Sequence, residues 1–147
     1  MKLQIHNATW QKRILLTNAV LFFSRHLKGF RKKRLHVTLT LTPRLQVTHK
    51  CRGMAVQDTP HSYSICLASE LGPLAMVRCL AHEMIHLSQW LTGKMIDLDD
   101  SRQRVQWMRR TYSYRLAYRK HPWEIEAYKY DIAVAQKFLD MWKREVR

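Results

Sequence analysis

The run His82-Glu83-Met84-Ile85-His86 sets two imidazoles four residues apart with a carboxylate between them. On a helix, positions i and i+4 stand one turn apart on the same face, so both rings reach one metal ion. Glu83 then projects beside that ion, within range of a water bound to it. Zinc lowers the pKa of such a water and polarises a substrate carbonyl. Glu83 would take the water's proton and hand it to a leaving amine, the chemistry of peptide-bond hydrolysis. Coincidence is the competing explanation: with eight His and five Glu, roughly one or two per cent of shuffled chains would carry HExxH.

A catalytic zinc also needs a third protein ligand and one open position. Glu124 and Glu126 are the acids available near the start of the last helical segment. At 3.6 residues per turn, Glu124 shares a face with Ala127, Tyr128, Asp131, Ala135 and Trp142. Glu126 shares one with Lys129, Ala133, Lys137 and Asp140, which reads as solvent-facing. The inward acid is therefore Glu124. His121 is the alternative, although the residue before a proline is biased toward extended backbone.

The segments that must position these groups follow from periodicity and punctuation. Residues from Thr9, a candidate N-cap, to about Lys28 have helical spacing, with Trp10, Ile14, Val20, Leu21 and Leu27 on a broad face and Gly29 as the stop. Leu35 to Thr42 alternates apolar and polar as a half-buried strand does, and Pro43 ends it. Further strands are expected at Leu45 to Lys50, Gly53 to Val56 and Tyr63 to Leu67, with a turn at Asp58-Thr59-Pro60. Pro73 to Leu91, closed by Gly93, is apolar on nearly every side and reads as a buried helix carrying HExxH. After a polar turn at Asp97 to Ser101, Val105 to Met108 and Thr111 to Tyr114 suit a small basic hairpin, and Pro122 opens a last helix.

Composition bounds the rest. A chain of 147 residues, 46% hydrophobic, fits a single domain over residues 1–147. Its charge of +15 draws polyanions, with clusters at Arg31 to Arg34 and across Arg102 to Lys120, so DNA or a DNA-bound protein is a candidate partner. Cys51, Cys66 and Cys79 are odd in number and form no CxxC, which points away from a disulfide scaffold and toward a reducing cytoplasm. Met1 to Trp10 has no leader-like apolar run, and no stretch is apolar enough to cross a bilayer, so no membrane partner is expected.

HEMIH, followed after the hairpin by Pro122-Trp123-Glu124-Ile125-Glu126-Ala127, resembles the gluzincin pattern HExxH…ExEA. It is most similar to small SprT-like or phage-encoded metallopeptidases with a PWExEA segment, over roughly residues 45 to 135. Arg52-Gly53-Met54-Ala55 and Tyr63 to Leu67 sit where those minimal peptidases place strands before the active helix. The resemblance implies Glu124 as a ligand, whereas SprT-like proteins proper often use a third histidine, here His121. It also implies a host bacterial cytoplasm if the chain is phage-encoded. Tyr128 stands where the gluzincin pattern often has Asp, a departure that puts the usual carboxylate contact to a ligating histidine in doubt.

Other residues invite weaker readings. Tyr112, Tyr114 and Tyr118 can offer a hydroxyl to a tetrahedral oxyanion or simply pack a hairpin face. Arg109 and Arg110 can clamp an anion or sit in a solvated turn. His26, His36, His49 and His61 read as surface or core histidines, and Cys79, one turn before Glu83, as a small buried residue. Tyr63 to Leu67 is either an interior strand or an exposed edge for an extended substrate.

Together these features predict an α+β domain: a long N-terminal helix, a small twisted sheet, a buried HExxH zinc helix and a C-terminal helix, zincin-like in outline. The expected function is zinc-dependent hydrolysis of peptide bonds in an intracellular protein substrate, with DNA association suggested by charge. The alternatives are a basic nucleic-acid-binding module with a structural or vestigial zinc site, and a catalytically silent partner-binding descendant.

Overall fold

The computed structural model describes residues 1–31, 34–98 and 102–146. Strands β1 (Lys2–His6), β2 (His36–Thr42), β3 (Gly53–Thr59) and β4 (Ser62–Ala68) form one sheet in the order β1-β2-β4-β3. β1, β2 and β4 are mutually parallel, and β3 runs antiparallel along the outer side of β4. Period-two patterning gives the sheet two different faces. Val37, Leu39 and Leu41 lie beside Tyr63, Ile65 and Leu67 on the buried face, while Thr38, Thr40, Ser64 and Cys66 occupy the other.

Two helices lie on the apolar face, α1 (Trp10–His26) and, after the single turn α2 (Leu45–Thr48), α3 (Pro73–Leu91), and α4 (Pro122–Glu145) packs against both of them. Leu16, Val20 and Phe23 of α1, Met76, Leu80 and Met84 of α3, and Ala135 and Phe138 of α4 join the sheet residues in one core. α3 is the central helix, buried nearly all round, with Pro73 in its first turn. Gly29 is required where the end of α1 crosses the end of α3: its φ is +97°, and a Cβ would lie 2.7 Å from that of Leu91. Beyond α3, strands β5 (Met95–Asp97), β6 (Arg104–Trp107) and β7 (Arg110–Ser113) form a meander. It buries Met95, Val105 and Trp107 against Trp123 at the start of α4.

The α+β class, the Thr9 cap, the HExxH helix, the basic hairpin and the Pro122 start all appear as expected. Several expectations are corrected. Leu45 to Lys50 is not a strand. Arg44 turns into the left-handed region (φ 58°), Thr48 hydroxyl bonds back to its carbonyl, and a single helical turn results. On α1, Val20 is buried as expected, but Trp10 is 71% exposed, Ile14 and Leu21 are also exposed, and Leu15, Leu16, Ala19 and Phe23 complete the buried set. β3 continues through Asp58 to Thr59, so the turn falls one or two residues later than Asp58-Thr59-Pro60. Tyr63 to Leu67 belongs to the interior strand β4; the edges are β1 and, beside β4, β3. β1 and β5, short and marked only by Leu3, Ile5 and Met95, were not anticipated. Part of the Asp97 to Ser101 turn and of the Arg31 to Arg34 cluster lies outside the described residues.

Candidate metal centre

α3 presents His82 and His86 one turn apart, and the first turn of α4 brings Glu124 against both. Glu124 Oε1 lies 2.8 Å from His86 Nε2, and Oε2 lies 3.0 Å from His82 Nε2. The two Nε2 atoms are 3.2 Å apart. All three side chains are buried, and their ligand atoms fall within 4.8 Å of one another. Metal–ligand bonds of about 2.0–2.1 Å at a tetrahedral angle put ligand atoms about 3.3 Å apart. The three donors therefore need to open by only a few tenths of an ångström to hold a metal ion.

Each histidine is fixed from behind. Asp131 Oδ2 lies 3.0 Å from His82 Nδ1, and Gln89 Oε1 lies 2.8 Å from His86 Nδ1. An oxygen of either kind can accept from the ring N–H, which assigns the proton to Nδ1 and leaves Nε2 free to bind a metal. Asp131 thus supplies the carboxylate contact that Tyr128 had put in doubt. It was legible as a member of the Glu124 face. Gln89 was missed, although it stands three residues after His86 and so within one helical turn.

Gln89 has further roles through its amide nitrogen, which donates to Trp123 O at 2.9 Å and to Glu126 Oε1 at 3.3 Å. Glu126 in turn pairs with Lys94 at 3.0 Å. The solvent-facing expectation for Glu126 is corrected: it is half-buried and braces Gln89, on the other side of α4 from the metal donors. His121 is buried with its Nε2 unpaired, but its ring stacks on Trp123 at 4.6 Å, and it is not among the three clustered donors.

Burial works against charge on His82, but hydrogen bonding to Glu124, the field of Glu83 and the Asp131 contact outweigh it and raise its pKa to about 9. His86 also shifts upward: burial opposes its charge, and the hydrogen bond to Glu124 with the fields of Glu124 and Glu83 outweighs it. Glu124 is also penalised by burial, yet the hydrogen bonds from both histidines and Tyr118 hold it well below the usual carboxylate range. Burial pushes the Glu83 carboxyl up, partly offset by His86 and His82. Gly53 of β3 makes room for it, since a Cβ there would lie 3.0 Å from Glu83 Oε1.

These groups line an open cleft of about 1240 Å³. Tyr118 reaches into it from a single 3₁₀ turn and donates to Glu124 Oε2 at 2.6 Å, with Tyr128 OH 3.3 Å away. Burial and the adjacent Glu124 keep the Tyr118 phenol protonated far above the ordinary range. Tyr114 also lines the cleft, whereas Tyr112 packs against Trp123 in the meander cluster. Arg109 and Arg110 sit exposed at the hairpin turn and are not among the residues lining the cleft. Cys79 lines the cleft as a desolvated thiol with its pKa raised to about 11. His49 lines the cleft rim, and His26, His36 and His61 lie outside it. No helix among the described residues is long and apolar enough to cross a membrane. The chain matches no protein-family model, no curated protein and no solved structure.

Proposed function

We propose that this chain is a zinc-dependent peptidase with a zincin-like architecture, of the minimal SprT-like or gluzincin kind that its HExxH and PWExEA segments resemble. The observation that carries the reading is the buried His82–His86–Glu124 cluster at the floor of an open cleft, with Glu83 beside it. Two imidazoles and a carboxylate are a zinc-type donor set, and three protein ligands leave one position for chemistry. Bound there, zinc supplies Lewis acidity toward water and a peptide carbonyl.

This chain's own groups do the rest. Glu83, whose carboxyl burial pushes up, accepts the proton of the attacking water and delivers it to the leaving nitrogen. Tyr118 retains its proton, and its hydroxyl, once turned from Glu124 Oε2, is the donor offered to the oxyanion that develops on the carbonyl. The edge strand β3 provides backbone groups on which an extended polypeptide can pair beside Glu83. Three free thiols fit a reducing, intracellular setting. A purely structural zinc is the weaker reading, because such sites are closed by four protein ligands and only three gather here among the described residues. DNA recruitment rests on the +15 charge alone.

Glu83→Gln preserves shape and leaves the three donors intact. The expected result is full zinc content with hydrolysis of unfolded protein substrates reduced about 10²- to 10⁴-fold. Equal turnover by wild type and Glu83→Gln on every substrate would remove the catalytic reading.

A further inference from the structure

The cleft differs at its two ends. Arg78, His82, His86 and Trp90 follow at four-residue intervals along α3, and all four line the cleft. Twelve residues of helix rise about 18 Å, the reach of roughly five to six residues of extended chain. The metal donors occupy the middle of that span. At the Arg78 end, Arg52 from the segment leading into β3 shares a second small pocket with Arg78, and Lys50 of the same segment also lines the cleft. None of these three cations is paired with a carboxylate among the described residues. At the other end stand Trp90, Tyr114, His121 and Trp123. His121 stacks on Trp123, and Tyr114 meets both rings edge-on at 5.9 and 5.8 Å.

The edge strand fixes a direction. Gly53, near the start of β3, sits at Glu83. Gln57, four residues on, bonds to Tyr63, whose ring lies 6.0 Å from that of Trp90. β3 therefore runs in the same sense as α3, from the basic end to the aromatic end. Antiparallel pairing is the more stable per residue. A peptide added that way passes first over the aromatic end, then the metal donors, then the cations.

We infer that the cleft selects polypeptides with a large apolar residue before the cleaved bond and acidic residues about two to four places after it, an inference that rests on the peptidase reading. Unpaired cations beside an open cleft reward an acidic partner without the cost of breaking an existing pair. The exposed Tyr114 ring, backed by the buried His121–Trp123 stack, rewards an apolar side chain.

Two measurements test this. Zinc-loaded Glu83→Gln is titrated into fluorescein-labelled decapeptides that share a central Phe and differ only in three following residues, all Asp, all Ser or all Lys. Anisotropy should rank Asp first by about tenfold over Ser at low salt, with the gap closing as salt screens it. Arg52→Glu/Arg78→Glu should erase or invert that order, and the milder Arg52→Gln/Arg78→Gln should flatten it. Both positions are exposed, and circular dichroism checks that the variants fold. In parallel, wild type is given a peptide library, and mass spectrometry reads which side of each cut carries the acids. Equal binding of the three peptides, or acids enriched before the cut, would overturn the inference. So would displacement of the Asp peptide by an oligonucleotide at lower concentration than by unlabelled Asp peptide. Absence of any cleavage would count against the peptidase reading, while the binding order reports on the cleft separately.

Discussion

The two imidazoles of the site are steadied by different chemistry. His82 leans on Asp131, a carboxylate delivered by α4, while His86 leans on Gln89, a neutral amide from its own helix. Asp131 adds charge and raises the basicity of its ring. Gln89 adds no charge, but its nitrogen is held by Trp123 O and Glu126, so it fixes the ring by geometry and ties α3 to the start of α4. One half of the site is tuned electrostatically and the other is braced.

Variants that break this pairing should do so to graded extents. Glu124→Ala removes the donor common to both halves. It should abolish zinc retention at chelator concentrations that leave wild type loaded, a loss beyond the about 10- to 100-fold expected for an outer partner. Asp131→Ala should fall within that 10- to 100-fold range in zinc affinity, measured by competition with a chromophoric chelator, and Asp131→Asn should recover part of it. Gln89→Ala should sit at the lower end, near tenfold. Gln89→Glu should be harder on folding than on metal: it strands Trp123 O and sets a carboxylate against Glu126, which costs on the order of 2 kcal/mol in denaturant unfolding. Glu126→Ala should be the mildest for metal, a few-fold at most, because its Lys94 pair is largely exposed.

The charged half also predicts a pH dependence. His82 is raised from its ordinary value near 6.5 to about 9 in the metal-free protein. A group raised on folding contributes stability that is fully present below its unfolded pKa and lost as pH climbs through its folded one. The metal-free melting temperature should therefore fall by a few degrees between pH 6.5 and 9. Zinc affinity should rise over the same window, since the metal displaces that proton. In Asp131→Asn the window should shift to lower pH. An unchanged profile would mean that Asp131 does not hold the proton on His82.

Local sequence carried some of this and not the rest. HExxH and the Pro122 start were legible because their spacing on a helix fixes which side chains meet, and the face argument separated Glu124 from Glu126 before any tertiary contact was known. The same projection failed on α1. Its apolar residues run nearly round the helix, so periodicity did not reveal that Leu15, Leu16 and Phe23, rather than Trp10 and Ile14, face the core. β1 has too few residues for alternation to stand out, and its strand state depends on pairing with β2, 34 residues later. The edge role of β3 was likewise a property of sheet order, which no local pattern encodes. Leu45 to Thr48 became a helical turn because a left-handed Arg44 redirected the chain, against the β-propensity of Val47 and Thr48.

If two imidazoles and one carboxylate hold zinc with a position left open, zinc K-edge X-ray absorption on the zinc-loaded protein should show that shell. The expected result is one zinc per chain with two histidine nitrogens at about 2.0–2.1 Å, oxygen completing the shell, and no sulfur. Glu124→Ala should lose that spectrum. A scatterer at about 2.3 Å would instead place Cys51 or Cys79, both on the cleft lining, in the coordination shell and would contradict the assignment.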